Sequence, residues 1–504
     1  MLAIRSRLRS LLVRLPQVGS WIWLAVVLVL AGALRLIRIG ANSFWFDEAF
    51  SWLVARRPAH AILTQRLEPI LPPLYYFLLH FWIWLGESEA TVRSFSALCS
   101  LLTIPVLYVL GRELFTPATG LAAALLTAVL PFYVYFAQEA RLYALVVLLS
   151  ALMLWGFVRS WRGTRYRPWL GFGLLVALNL YAHYFAIFTL TVFHFFVLLA
   201  GRRDRRHWWG VLLADLVTLA CVVPLLPSAL AQTRQVVTYF WLRSPSPLEP
   251  LKTLDYLLFS HTGPVSLVPV ALFVTLSIFT LVVWRVVRSR GKAHRWLLLL
   301  VGLVLVPIVL ALILSWIVGP VYLDRSFSLV APAYVLLLAW GLAHPPHRSP
   351  LPLLYGCLAV LVVISLGNHY LNPDPAKPPF REVGAVVQEG WQEGDVLFHL
   401  HDSSYLPLVY YVPEAENYLL DNDPTTWLPS YTWKWAGQRV SSLGEVVVGK
   451  ARLWLVVMPG RTDDRQKKVL AQAEASYERI EEWAWPCADS VKLRLYSLAN
   501  LGQP

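Results

Sequence analysis

Long apolar runs recur along the chain, separated by short polar segments. Many of these runs hold roughly 20 residues, the length that an α-helix needs to cross a bilayer. A soluble protein with a single apolar helix is therefore excluded. The pattern predicts about eleven transmembrane helices, at residues 21–39, 92–110, 117–136, 141–158, 168–182, 184–200, 208–227, 264–284, 296–318, 326–343 and 351–368.

One apolar stretch, residues 72–86, is ambiguous because it is short, aromatic and opens with two prolines. Basic residues decide its placement, since cytoplasmic loops of membrane proteins are enriched in Lys and Arg. If the stretch does not cross, the basic loops at 159–167, 201–207 and 285–295 share a side with the basic N-terminus. We therefore predict an interfacial helix within the first outside loop. The N-terminus is then cytoplasmic and the C-terminus extracytoplasmic, in a multi-pass protein of the cell membrane.

The chain changes character after residue 370, where a proline-rich linker begins. Beyond the linker, alternation typical of strands and spacing typical of helices appear within short distances. The predicted elements are a helix at 380–391, strands at 395–400 and 452–457, and a charged helix at 463–475. We therefore predict a mostly α-helical membrane protein that ends in a small extracytoplasmic α/β domain.

Charge supports this division. Only 14% of the residues are charged, against about a quarter in an average soluble domain. From residue 370 onward, 13 Lys and Arg stand against 18 Asp and Glu, whereas the whole chain carries a net charge of +13. The positive excess thus lies in the short loops between apolar runs, which argues against nucleic-acid binding.

Asp47 and Glu48 follow the first predicted span and are flanked by aromatic residues. Ionisable residues near the membrane plane are costly, and this makes them candidates for function. One interpretation is a turn whose carboxylates cap a helix. The other is a carboxylate in a cavity at the membrane edge, where partial desolvation raises its pKa and suits it to accept a proton.

Further charged residues lie at the ends of predicted spans. Glu139 and Arg141 lie in a polar turn between two spans, which is either a self-satisfied ion pair or part of a site. Arg93 and Arg325 stand at the heads of later spans, where arginine also occurs because its long side chain reaches the interface. On the predicted topology all four are extracytoplasmic. Arginines with carboxylates there suggest a phosphate-bearing amphiphile, because guanidinium donates paired hydrogen bonds to phosphate.

A few side chains are candidate metal ligands. His183 lies in an outside turn among aromatic residues, where a hydrogen-bonded interfacial role is the main alternative to a ligand role. No histidine and glutamate have the helical spacing of a preformed zinc site. A divalent metal held by scattered side chains is left open, with Glu68, Glu139 and His183 as candidate ligands, and no other cofactor is expected.

The order of these motifs resembles that of the GT-C glycosyltransferases, in particular bacterial relatives of the protein O-mannosyltransferases and the lipid A aminoarabinose transferase. The similarity covers about residues 20–345 well and the tail in general layout. The motifs that carry it are Trp45-Phe46-Asp47-Glu48-Ala49, Pro72-Pro73-Leu74-Tyr75-Tyr76, Arg93-Ser94-Phe95-Ser96-Ala97-Leu98, Gln138-Glu139-Ala140-Arg141-Leu142-Tyr143 and Asp324-Arg325.

The resemblance implies a membrane enzyme that moves a sugar, with inversion, from a polyprenyl-phosphate donor to a hydroxyl of a lipid, glycan or protein. It implies a catalytic domain at 1–368 and an accessory domain at 369–504. Asp47 matches the general base of such enzymes, and Arg93 matches an arginine that engages the carrier phosphate. The other candidate substrate-binding residues are Glu48, Glu68, Glu139, Arg141, Tyr143, His183 and Arg325.

Two other classes of protein share part of this pattern. A transporter or flippase for a lipid-linked envelope precursor would also be multi-spanning and arginine-bearing. Transporters, however, often show two similar halves and polar residues near mid-bilayer, whereas this chain shows no half-repeat and carries its charges at span ends. A non-catalytic envelope assembly protein is the third interpretation. The sequence favours the glycosyltransferase.

Overall fold

The chain forms two compact units. A computed structural model describes residues 19–64, 72–201, 204–231, 242, 244–291, 293–345, 349–372, 377–420, 438–440, 442–487 and 489–498. The first unit comprises Met1–Ile37, Ile70–Tyr75 and Arg93–Leu371, and the second comprises Arg38–Pro69, Tyr76–Val92 and Asn372–Pro504. The second unit therefore takes in parts of the segment at residues 38–92 together with the tail.

The chain before the tail is helical. Its helices are α1 (Ser20–Leu36), α2 (Phe46–Ala55), α3 (Ala59–Thr64), α4 (Leu74–Trp82), α5 (Glu89–Leu114), α6 (Pro117–Val129), α7 (Pro131–Ala137), α8 (Tyr143–Arg162), α9 (Arg167–Ala182), α10 (Ala186–Ala200), α11 (Arg205–Val222), α12 (Glu249–Phe259), α13 (Val268–Arg288), α14 (His294–Ile317), α15 (Ala331–Ala343) and α16 (Leu351–Leu371).

Seven helices of the described chain are long and apolar enough to cross a membrane, or eight if the bent pair α6 and α7 is one span. The protein is thus multi-pass, as predicted. Three of the predicted spans fall on shorter helices, since α1, α9 and α10 have 17, 16 and 15 residues. The count of eleven and the orientation of the termini stay predictions.

The ambiguous stretch at 72–86 is a short helix. α4 has 9 residues and continues into a 3-10 turn of 3 residues, Ile83–Leu85. At about 1.5 Å per residue, this element is shorter than the roughly 30 Å hydrocarbon core of a bilayer. It is too short to cross by itself, and its interfacial placement stays a prediction.

The break between α6 and α7 bends the chain by 55°. Pro131 has no N–H with which to pair the carbonyl of Thr127, four residues earlier. Arg35 of α1, 0% exposed, supplies the missing donors. Its Nη2 donates to Thr127 O at 2.8 Å, its Nη1 to Ala128 O at 3.0 Å, and its Nε to Ser100 Oγ at 2.9 Å. A buried guanidinium therefore caps the broken helix.

Gln138, in the turn after α7, caps α1 in return. Its Nε2 donates to the carbonyls of Leu34 and Ile37 at 3.3 and 2.9 Å. His369, near the end of α16, contacts Gln138 Oε1 through Nε2 at 2.9 Å, and the Tyr370 hydroxyl donates to Leu34 O. The ends of α1, α7 and α16 thus meet at one polar junction inside the first unit.

The tail folds around a six-stranded sheet with strand order β3-β2-β1-β4-β6-β5. Strands β3, β2, β1 and β4 pair in parallel, whereas β6 pairs antiparallel with both of its neighbours, β4 and β5. The strands are β1 (Asp395–His399), β2 (Asn417–Leu420), β3 (Gln438–Val440), β4 (Arg452–Val457), β5 (Glu478–Trp485) and β6 (Val491–Ser497), and the helices are α17 (Phe380–Gly390), α18 (Asp402–Tyr411), α19 (Gly444–Val447) and α20 (Asp464–Ser476). The predicted small α/β fold of the tail is confirmed.

Both faces of the central strands are covered by apolar side chains. Val396 and Phe398 of β1 belong to one core cluster, whereas Leu397 belongs to the cluster on the opposite face. Strands buried on both faces read as continuous apolar runs. This is why β1 and β4 could be predicted from the sequence, whereas the more polar β5 could not.

Polar contacts join residues 43–89 to α17 and α18 within the second unit. Arg381 Nη2 donates to Glu89 Oε1 at 2.7 Å, and the Tyr411 hydroxyl donates to the same oxygen at 2.7 Å. The Tyr411 hydroxyl also accepts the backbone N–H of Phe44 at 2.7 Å. The chain entering α2 is therefore held by residues of the tail.

We predict that Arg35→Met lowers the thermal stability of the detergent-purified protein. The change leaves the Thr127 and Ala128 carbonyls without their donors, and each buried acceptor left unpaired costs about 1–3 kcal/mol. The measurement is the midpoint of thermal unfolding. The matched control is Arg112→Met, an exposed arginine in the last turn of α5, which should shift the midpoint little. Equal midpoints for the two variants would contradict the capping role.

A second prediction concerns His399, at the end of β1. Burial lowers the pKa of His399 from 6.5 to about 4. Between about pH 6.5 and 4, the unfolded chain therefore binds a proton at this histidine that the folded domain does not bind. The free energy of unfolding consequently decreases as the pH falls through this range. Hydrogen exchange in β1 and β2, corrected for intrinsic rates, should accelerate over this window, and His399→Gln should abolish most of the acceleration. An unchanged pH dependence in His399→Gln would show that another group is responsible.

Candidate functional site

Asp47 and Glu48 lie in the first turn of α2, and every residue of this helix is buried. Asp47 is 6% exposed and Glu48 is 0% exposed. The positive end of the helix dipole favours carboxylates in the first turn. The Ser51 hydroxyl donates to the backbone carbonyl of Asp47 at 2.9 Å, which secures the next turn. The structure thus encloses both candidate carboxylates in the second unit.

Glu48 forms an ion pair with a buried lysine. Glu48 Oε2 lies 2.8 Å from Nζ of Lys377, whose side chain is 8% exposed. Because neighbouring residues of a helix project about 100° apart, Asp47 does not share this direction. The sequence placed Lys377 in a linker, where nothing in the local pattern marks it. A buried lysine is therefore the main residue of this region that the sequence did not single out.

Arg93, Glu139 and Arg141 are all buried within the first unit. Arg93 is thus enclosed by protein, rather than extended along the surface as a snorkelling arginine would be. The turn between α7 and α8 is anchored to α5, because Ser96 Oγ donates to the backbone carbonyl of Arg141 at 3.2 Å. Ser96 is three residues after Arg93, so the two occupy the same face of α5.

Arg325 lies against Tyr143 in the same unit. Its guanidinium carbon is 5.8 Å from the ring centroid of Tyr143, within the range of a cation–π contact. Arg325 belongs to a 3-10 helix, Asp324–Val330, that leads into α15. The structure therefore brings together two residues that the sequence placed in different motifs, Tyr143 at the start of α8 and Arg325 before a late span.

The long loop before α13 contributes residues to the surroundings of Arg325. Thr253 of α12 donates to Asp324 Oδ1 at 2.5 Å, and its hydroxyl lies 2.6 Å from that of Tyr322. The ring of His261 lies 5.0 Å from that of Tyr256, centroid to centroid. Burial, and secondly the charge of Arg325, lower the pKa of His261 below its ordinary value. His261 thus belongs to this cluster, although its sequence context does not mark it as a site residue.

His183 ends α9 and is buried. Its Nδ1 accepts the backbone N–H of Phe185 at 3.1 Å, and burial lowers its pKa to about 4, so the ring is neutral at physiological pH. Phe185 in turn packs on Phe327 of the 3-10 helix, with ring centroids 6.0 Å apart. Its backbone contact favours the hydrogen-bonded interpretation of His183.

The metal candidates do not form a cluster in the part of the chain that the structure describes. No group of three or more His, Cys, Asp and Glu side chains there could hold a metal ion. Glu68, which the sequence offered as a ligand and as a substrate-binding residue, lies outside the described residues. Glu139 and His183 remain predictions for both roles.

Comparison with known proteins gives the class to which this fold belongs. Residues 71–227 match the model of a family described as dolichyl-phosphate-mannose-protein mannosyltransferase. The structure is similar to ArnT from Cupriavidus metallidurans bound to undecaprenyl phosphate, with a TM-score of 0.64 and 14% identity over 96% of this chain and 99% of that chain. No curated protein sequence is similar enough to count as a relative.

A second similar structure is the archaeal oligosaccharyltransferase AglB from Archaeoglobus fulgidus, in complex with an inhibitory peptide and a dolichol-phosphate. Its TM-score is 0.52 and its identity 11%, over 97% of this chain and 75% of that chain. Identities this low establish a shared fold. The predicted resemblance to the GT-C superfamily of glycosyltransferases is therefore confirmed.

Proposed function

We propose that this protein is a membrane glycosyltransferase that moves a sugar from a polyprenyl-phosphate donor to an acceptor hydroxyl on the extracytoplasmic face, with inversion. The observation that carries the proposal is the similarity of fold, over nearly the whole of both chains, to a structure that holds undecaprenyl phosphate. The family match over residues 71–227, to a family named for a dolichyl-phosphate sugar donor, supports the same chemistry.

Asp47 is the proposed general base. The acceptor oxygen attacks the anomeric carbon, the bond from that carbon to the phosphate oxygen breaks, and the hydroxyl proton passes to the Asp47 carboxylate. General-base assistance of this kind is typically worth about 10²–10⁴-fold in rate. Glu48 is the obvious competitor, but its carboxylate is engaged by Lys377 at 2.8 Å. This pairing supports Glu48 as a residue that orients the helix.

Arginines are the proposed partners of the carrier phosphate. The leaving group carries growing negative charge as the bond breaks, and guanidinium groups stabilise that charge through paired, charge-assisted hydrogen bonds. Arg93, Arg141 and Arg325 are the candidates. Arg325 rests against the ring of Tyr143, and such packing limits the conformations of its long side chain. We assign to Tyr143 the orientation of this guanidinium.

We predict that Asp47→Asn cuts turnover about 100-fold or more while leaving binding of undecaprenyl phosphate within about threefold. The substitution is nearly isosteric and removes only the proton acceptor. Turnover is measured as the envelope product that mass spectrometry detects in cells with the protein and not in cells without it. The matched control is Asp464→Asn, an aspartate in the first turn of the exposed helix α20, which should retain full turnover.

Two outcomes would reject parts of this proposal. Asp47→Asn turnover within threefold of wild type, at equal expression, would remove Asp47 as the base. Purified protein in vesicles that carries a polyprenyl-phosphate sugar across the membrane without cleaving it would identify a flippase instead.

The extracytoplasmic face is tested by cysteine labelling in a cysteine-free background. We predict that a cysteine replacing Lys467, on exposed α20, reacts with a membrane-impermeant maleimide in intact cells. A cysteine replacing Arg165, in the basic loop between α8 and α9, should react only after permeabilisation, because positive loops stay cytoplasmic. The reverse labelling pattern would invert the topology.

A further inference from the structure

We propose that Lys377 is a positioning residue, which fixes the rotation of α2 through Glu48 and so sets the direction in which Asp47 points. The inference rests on the proposed function for its catalytic consequence, but its structural part stands alone. It assigns to the start of the tail a task in the reaction. The sequence had suggested only a linker there.

The ion pair between Lys377 and Glu48 is enclosed by protein. Lys377 Nζ and Glu48 Oε2 are 2.8 Å apart, and their side chains are 8% and 0% exposed. A surface pair of this kind contributes little to stability. Removing one partner of a buried pair is far more costly, because the remaining charge stays in a medium of low dielectric without compensation. The pair therefore holds its geometry firmly.

Residues that follow Lys377 in the chain hold the segment that enters the same helix. The backbone N–H of Arg381 donates to Ser43 Oγ at 3.1 Å, and Ser43 Oγ in turn lies 3.2 Å from Glu382 Oε2. Tyr411 binds the N–H of Phe44 at 2.7 Å. These contacts fix the position of the residues that enter α2, and the Lys377 ion pair fixes its rotation.

Rotation matters because α2 presents two carboxylates in succession. A turn of about 100° about the helix axis would bring Glu48 to the direction in which Asp47 points and would carry Asp47 away from it. With Glu48 Oε2 bound to Lys377, that rotation is blocked. Lys377 also compensates the negative charge of Glu48 in the first turn of the helix. A misplacement of about 1 Å in a reacting group can cost on the order of 100-fold in rate.

The experiment uses the full-length protein with three variants. Lys377→Met removes the charge, Lys377→Arg keeps it, and Glu48→Gln with Lys377→Met removes both charges together. The control is Lys450→Met, which breaks a lysine–glutamate pair of the same unit, 2.6 Å long and partly exposed, away from α2. Three quantities are measured: hydrogen exchange of residues 46–55, affinity for undecaprenyl phosphate, and yield of the envelope product.

For Lys377→Met we expect faster exchange throughout α2, a product yield at least about tenfold lower, and an affinity for undecaprenyl phosphate within about threefold of wild type. Lys377→Arg should restore slow exchange and most of the product, because the charge returns. Lys450→Met should match wild type in all three measurements. A purely structural role would lower protein yield without separating product formation from phosphate binding.

Several results would overturn the proposal. Unchanged exchange in α2 of Lys377→Met would show that the ion pair does not hold the helix. Weaker binding of undecaprenyl phosphate with unchanged exchange would make Lys377 a phosphate ligand. If Lys377→Met does not fold, the double variant decides, because it leaves no buried charge unpaired, and wild-type exchange in its α2 would reject the proposal. Absence of any product from wild type would reject the proposed function but leave the exchange test intact.

Discussion

Backbone carbonyl groups that lose their helical partners inside an apolar interior must find other donors, and the first unit is arranged around that requirement. The break at Pro131 deprives the carbonyl of Thr127 of its partner, and Arg35 restores it from a neighbouring helix. Gln138 does the same for the end of α1 and is itself contacted by His369. Because the same break leads directly into the turn that carries Glu139 and Arg141, the position of these candidate site residues depends on that capping.

Much of the architecture follows from features that act over short stretches of sequence. Apolar runs predicted most of the long helices. The buried central strands β1 and β4 could be predicted because they are continuous apolar segments. Strand β5 was missed because its row of charged residues, exposed in the structure, resembles a solvated loop. Arg35 lies within a predicted span, and its neighbours in the sequence do not indicate its role. It caps a helix that is broken at a proline almost a hundred residues later.

The candidate site residues also fall into those that a short stretch of sequence marks and those that depend on distant partners. Asp47, Glu48, Arg93, Glu139 and Arg141 lie in compact motifs, and the sequence could select them because charge at the end of an apolar run is conspicuous. Lys377 and His261 could not be selected in this way. A lysine in a proline-rich segment looks like an ordinary solvated residue, and its significance comes from Glu48, 329 positions away. Partners at such separations are set by the fold as a whole.

That separation also sets an order of events during synthesis. A ribosome adds about 5–20 residues per second, so the 329 positions between Glu48 and Lys377 correspond to a delay of roughly 16–66 s. For that time the nascent chain holds an acidic first loop whose cation has not yet been made. The loop reaches its final arrangement only after the last helix of the membrane part has been threaded. The first part of the protein to be translated is thus completed only by a residue made much later, and a chain that ends before Lys377 never gains this partner for Glu48.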